Sequence, residues 1–170
     1  LMSCENNLAQ RIEIINSVLE IKNLKYSYWA ACDQKEPKTI LDSFYKGNVH
    51  IDFEDFGIFT SANDMVEKYK LNSCHPNLIE QHAGKNPIIN VISSNKALGL
   101  WGLSYNLVDT KRKIHLTVNG TYSDEYIKVN NGWLISKSRF RKNSTTYKSF
   151  IDKYLSQPKI GKSLGFKKLV

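Results

Sequence analysis

Apolar positions along the first thirty residues recur at helical spacing. Leu8, Ile12, Ile15, Leu19, Leu24, Tyr28 and Ala31 follow one another at steps of three or four, with a single step of five from Leu19 to Leu24. That stripe predicts an amphipathic helix over Leu8 to Cys32, and Asn16 and Ser17 offer a break that would divide it into two helices. Pro37 suits the first turn of a further short helix, with Ile40, Leu41 and Phe44 on its buried side and Gly47 as its stop. After Gly47 the period falls to two. "VHIDF" and "FGIFT", joined through a turn at Asp55 to Gly57, predict a hairpin of short strands. Ser61, with Asp64 three residues on, is the capping signal of another helix through Met65, Val66 and Tyr69 that Pro76 terminates.

From Leu78 onward the chain reads as sheet. "LIEQHAG", "PIINVIS", "KALGLWGLSYNLV", "KIHLTVNGTYSDEYIKV" and "WLISKSRF" are rich in β-branched and aromatic residues and are separated by Ser-Asn, Asp-Thr-Lys and Asn-Asn-Gly turns. Two of these runs exceed the usual strand length, and Gly99, Gly102 and Gly120 lie inside them where bulges let a sheet curl. Helices first and strands afterwards, without βαβ alternation, predict an α+β fold: N-terminal helices packed in a curved mixed or antiparallel sheet that forms a cone. The expected division is one domain over 1–154 and a basic C-terminal arm over 155–170, where Pro158, Gly161 and Gly165 stand among lysines.

Composition changes this picture little. The 170 residues, 41% of them hydrophobic and 11% aromatic, suit a single folded domain with a real core. No apolar run reaches the roughly 20 residues of a membrane span, so a soluble, cytoplasmic protein is expected. Cys4, Cys32 and Cys74 are odd in number and widely spaced, which fits reduced thiols rather than a disulfide framework. His50, His75, His82 and His115 show no ligand spacing, so no metal and no cofactor is expected. The net charge of +8 is concentrated: residues 137–170 hold ten Lys and Arg against Asp152, which leaves residues 1–136 at −1. Such a tail can touch RNA, anionic lipid or an acidic partner, but no nucleic-acid-binding motif accompanies it, and nucleic acid is not the expected partner.

"EIKNLKYSYWAACDQK", "EQHAGKNPIINV", "ALGLWGLSYNLV" and "NGTYSDEYIKVNNGWLI", in that order over roughly residues 15–145, resemble the SnoaL-like branch of the nuclear transport factor superfamily. Within the branch the resemblance is nearest to bile-acid 7α-dehydratases and more distant to scytalone dehydratases. It implies a cystatin-like cone, a homodimer or homotrimer, and a cofactor-independent lyase or isomerase that removes water from a small apolar cyclic carbonyl substrate of steroid, polyketide or terpenoid type. It also implies three catalytic positions, which here read Tyr28, Asp33 and His82. Tyr105 stands where the bile-acid enzymes carry an aspartate, and Arg141 or Lys142 falls where the branch often has a basic residue. Trp101, Tyr105, Tyr122 and Arg141 are therefore the expected substrate-binding residues.

The chemistry of that set is coherent. Elimination beside a carbonyl needs a base for the carbon-bound proton, a donor to the forming enolate and an acid for the departing hydroxyl. His82 can serve as base and then as acid, Asp33 would hold the imidazole in one tautomer, and Tyr28, Tyr105 or Tyr122 could donate to the oxyanion. Each residue also has a plainer role: Asp33 as a loop acid or helix cap, His82 as a hydrogen-bonded strand histidine, Tyr28 as core. The alternative functions are a non-catalytic ligand-binding or oligomerisation module of the same fold, and an association domain using its basic tail.

Overall fold

The structure, a computed structural model, describes residues 2–130 and 132–149, with side chains described from residue 7 onward. The basic arm expected over 155–170 lies outside the described residues. Helix α1 (Met2–Gln34) is followed by α2 (Pro37–Asp42), strand β1 (His50–Asp52), a one-turn 3₁₀ segment (Glu54–Phe56), β2 (Ile58–Phe59) and α3 (Ala62–Ser73). Four long strands complete the fold: β3 (Leu78–Ser93), β4 (Lys96–Asp109), β5 (Ile114–Val129) and β6 (Gly132–Ser149). They form one mixed sheet in the order β2-β1-β6-β5-β4-β3, in which β1 runs parallel to β6 and every other pair is antiparallel. This is the expected α+β architecture.

Sequence explains most of these elements. Alternation drives Ala97, Trp101 and Leu103 of β4 and Val118, Tyr122, Asp124 and Tyr126 of β5 to one buried face. On β6 the buried set changes phase from Trp133 and Ile135 to Ser138, because a bulge opposite Glu125 and Tyr126 inserts one residue. A second bulge lies at Asn119/Gly120 and two more lie in β3, so the sheet has four places to bend. Gly99, by contrast, keeps both of its ladders in register, whereas the first β3 bulge lies opposite the step from Leu100 to Gly102. The Ser61 hydroxyl accepts from the Asp64 N–H at 3.3 Å and caps α3, as its sequence predicts, although the helix ends at Ser73 rather than Pro76.

Three expectations need correction. Helix α1 is continuous through Asn16 and Ser17, since Ser17 is buried on the side of the helix that meets the sheet. Leu8, Ile12, Ile15 and Leu19 are exposed, whereas Ile21, Lys25, Tyr28, Trp29 and Cys32 are buried. The step of five after Leu19 turns the stripe by roughly 140° around the helix, so the two halves of the apolar pattern lie on different sides. The short helix α2 ends at Asp42, well before Gly47, because Phe44 leaves it to bridge Ile135 of β6.

Trp29 of α1 anchors the core, edge-on to Trp101 (5.4 Å between ring centroids) and to Tyr122 (5.8 Å). It also explains Gly84. The backbone of β3 passes so near the indole that a Cβ on Gly84 would lie 2.0 Å from a ring carbon of Trp29. Gly84→Ala therefore overpacks the core and is expected to destabilise by about 1–3 kcal/mol. Thermal unfolding checks this, at about 2–4 °C of melting temperature per kcal/mol for a chain of this size; an unchanged melting temperature would place Trp29 elsewhere.

Candidate active site

The last turn of α1 and the start of β3 bring Asp33 and His82 together, 49 residues apart in the chain. The His82 ring Nδ1 lies 2.6 Å from the Asp33 carboxylate, and the His82 backbone N–H donates to both carboxylate oxygens at 3.1 and 3.0 Å. A carboxylate needs a donor, so Nδ1 carries the ring proton in the neutral imidazole and Nε2 presents a lone pair. The double backbone contact fixes where the carboxylate sits, and the carboxylate fixes the ring.

His82 lines a cavity of about 310 Å³ between the helices and the sheet, a volume in the range of small-molecule sites. Ile40, Met65, Leu103 and Val118 give it apolar walls, and Phe53, Phe56, Tyr122 and Phe140 add aromatic ones. Tyr28 is buried on its wall, beside the Cys32 thiol, and the phenol is held un-ionised because burial disfavours its charged form. Burial likewise pushes the Cys32 thiol up to about 12, so it stays protonated at neutral pH. Asp33 does not face the cavity but stands behind His82. Tyr28 and Asp33 therefore serve different sides of one helix end.

The cavity has charged groups at two places. Beside His82 stand Glu80, two residues earlier on the same face of β3, and Tyr105, its register partner on β4 with ring centroids 4.7 Å apart. The Tyr105 hydroxyl donates to Glu80 Oε1 at 2.7 Å, and Lys35 pairs with Glu80 Oε2. At the other place Lys142 faces Glu54 and Asp55 of the 3₁₀ segment.

Two expected binding residues lie elsewhere. Trp101 is fully buried behind the cavity wall, held by Trp29 and by donation from its indole N–H to the Tyr126 hydroxyl at 2.9 Å, because the inward face of β4 at that level meets α1 directly. Arg141 points to the opposite side of β6 from Phe140 and is engaged by the Asp52 carboxylate, and this contact holds that carboxyl below its ordinary range. Lys142 takes the basic position on the cavity instead. Tyr28, Tyr105 and Tyr122 do line it.

Sequence reading missed three charged groups. Glu80 was open to detection, since strand alternation puts residues 80 and 82 on one face. Lys35 lies just past α1 in the left-handed region, with φ of +59°, for which nothing in the local sequence is a signal. Lys25 is buried completely, its ammonium 2.7 Å from Asp124 and 4.0 Å from the centre of the Tyr122 ring. Desolvation lowers its pKa, and the Asp124 charge opposes that shift. Tyr126 and Ser138 donate to the same carboxylate at 2.8 and 2.7 Å. Among the described residues no group of three or more His, Cys, Asp and Glu is placed to hold a metal ion, and no helix is long and apolar enough to cross a membrane.

Comparison with known proteins agrees with this architecture. A hexachlorocyclohexane dehydrochlorinase (LinA) of type 2 superposes with a TM-score of 0.75 at 16% identity, covering 88% of this chain and 99% of its own. A scytalone dehydratase candidate from Novosphingobium aromaticivorans DSM 12444 gives 0.72 at 18% identity, covering 80% and 90%. A protein of unknown function with a cystatin-like fold from Nostoc punctiforme PCC 73102 gives 0.59 at 16%, covering 74% and 90%. No curated protein matches the sequence. The profile of the SnoaL-like domain matches residues 13–139, three quarters of the chain and nearly all of the helix-and-sheet body described above, and the chain therefore belongs to the SnoaL-like domain family.

Proposed function

We propose that this protein is a cofactor-independent lyase or isomerase of the dehydratase kind, acting by general acid–base chemistry on a small apolar cyclic carbonyl compound. The observation that carries the reading is the Asp33–His82 pair opening onto an apolar cavity. His82 Nε2 takes the proton from the carbon beside the carbonyl, the carbon–carbon double bond forms, the carbon–oxygen bond breaks, and the same nitrogen returns the proton to the departing hydroxide as water. Asp33 stabilises the imidazolium that exists between those two transfers. Tyr28 and Tyr122, whose phenols stay protonated through burial, are the candidate donors to the enolate oxygen. The solved neighbours that carry dehydrochlorinase and dehydratase names support a lyase, and the aromatic walls favour ring systems of steroid, polyketide or terpenoid type.

A homodimer or homotrimer and a cytoplasmic setting belong to the same proposal. A binding module without catalysis is the second reading; it is favoured by His82 being the one histidine at the cavity among the described residues. Soaking crystals with cyclic hydroxy-ketones of steroid and polyketide type separates these from a purely structural cone. Ligand density against His82 is expected, whereas a cavity that stays closed to every member of the panel, at millimolar concentration, would contradict both ligand-based readings.

A further inference from the structure

The direction of the hydrogen bonds around His82 says what kind of ligand group this end of the cavity accepts. Tyr105 gives its hydroxyl proton to Glu80 Oε1. Tyr69, also on the cavity wall, gives its own to the Cys32 carbonyl at 2.6 Å. His82 directs its Nδ1 proton at Asp33. Each of these groups keeps a lone pair for the cavity and has its proton committed to the protein.

Glu80 is what holds Tyr105 in that state. Its side chain is almost wholly buried, at 6% exposure, and Lys35, a cation with donors and no acceptor, pairs with its other oxygen. Lys35 reaches that oxygen from a left-handed backbone position that lysine rarely adopts. A carboxylate between an ammonium and a phenol can only accept, so the phenol must donate to it.

From this geometry we infer that Lys35, Glu80 and Tyr105 form a specificity arm that makes the His82 end of the cavity select a ligand hydroxyl, a donor, over a carbonyl. The inference rests on the reading of the cavity as a ligand site and sharpens it: the departing hydroxyl of the substrate lies at Tyr105, and the carbonyl lies away from it. Glu80 and Lys35 act through Tyr105 and are positioning residues.

The test uses three bicyclic probes of similar size, titrated into the purified protein: 2-naphthol, which donates; 2-acetonaphthone, which only accepts; and 2-methylnaphthalene, which does neither. Wild type is expected to bind 2-naphthol about tenfold more tightly than 2-methylnaphthalene, the worth of one net hydrogen bond, and to give 2-acetonaphthone no such advantage. Tyr105→Phe should erase most of the preference for 2-naphthol over 2-methylnaphthalene.

Glu80→Gln provides the sharper readout. Lys35 still requires an acceptor, so the amide turns its carbonyl to Lys35 and its NH₂ to Tyr105. The phenol then frees its proton for the cavity, and the order of the two oxygen-bearing probes should invert in favour of 2-acetonaphthone. A general loosening of the structure would weaken all three probes together and would overturn the inference. So would an unchanged order in both variants, or a 2-naphthol preference lost in His82→Gln and retained in Tyr105→Phe, either of which leaves the cavity reading standing. Failure of all three probes to bind wild type would overturn the cavity reading and the inference with it.

Discussion

His82→Gln is expected to lower the turnover of 5-nitrobenzisoxazole by about 10²–10⁴, the usual contribution of one positioned base. This bicyclic reagent opens when a single proton leaves its ring carbon and the nitrogen–oxygen bond breaks, so it reports proton abstraction alone. It is small enough for a space of about 310 Å³. The apolar walls favour its entry, and His82 Nε2 is the lone pair available to take the proton, because Nδ1 is engaged by Asp33. The variant's melting temperature should stay near that of wild type, since the substitution leaves in place the backbone N–H that holds the Asp33 carboxylate. A wild-type protein no faster than an equal concentration of imidazole would contradict the role given to His82.

The largest expected loss of stability comes from a residue outside the cavity. Lys25→Met leaves Asp124 as a buried carboxylate with no cation, which costs about 3–5 kcal/mol. Both side chains are fully inaccessible to water, so solvent cannot make up the difference. Tyr126 and Ser138 would still donate to the carboxylate, which keeps the loss short of complete unfolding only if the rest of the core has stability to spare. The double variant Lys25→Met, Asp124→Leu removes both charges and should recover much of the loss, as exchange of a buried ion pair for apolar side chains often does. Chemical denaturation of wild type and the two variants measures this. A single variant as stable as wild type would show that the pair is not buried as a pair.

Much of the fold was legible because its signals are local. Period-two alternation between turn residues marks the strands after Leu78, and Ser61 with Asp64 marks the start of α3. The pairing of Asp33 with His82 was accessible only through the family resemblance, because no local pattern links a helix end to a strand 49 residues away. Elsewhere the pattern misled. Periodicity says which positions are apolar but not which side of a helix meets the sheet, so Leu8, Ile12, Ile15 and Leu19 read as core although they are exposed. Lys25 stayed hidden for the converse reason: it occupies a core position between Ile21 and Tyr28, but a lysine reads as surface until Asp124 is seen opposite it. Arg141 and Lys142 are adjacent, and only the local direction of β6 decides that the second of them lines the cavity.

The claim that Asp33 and His82 work as one catalytic unit is tested most directly by a double-mutant cycle on 5-nitrobenzisoxazole turnover, using Asp33→Asn, His82→Gln and the double variant. If the carboxylate acts only by orienting the imidazole and supporting its charge, the double variant should be no slower than His82→Gln alone, because residues that act together are not additive. Losses that multiply across the cycle would contradict it and would make the two side chains independent parts of the wall.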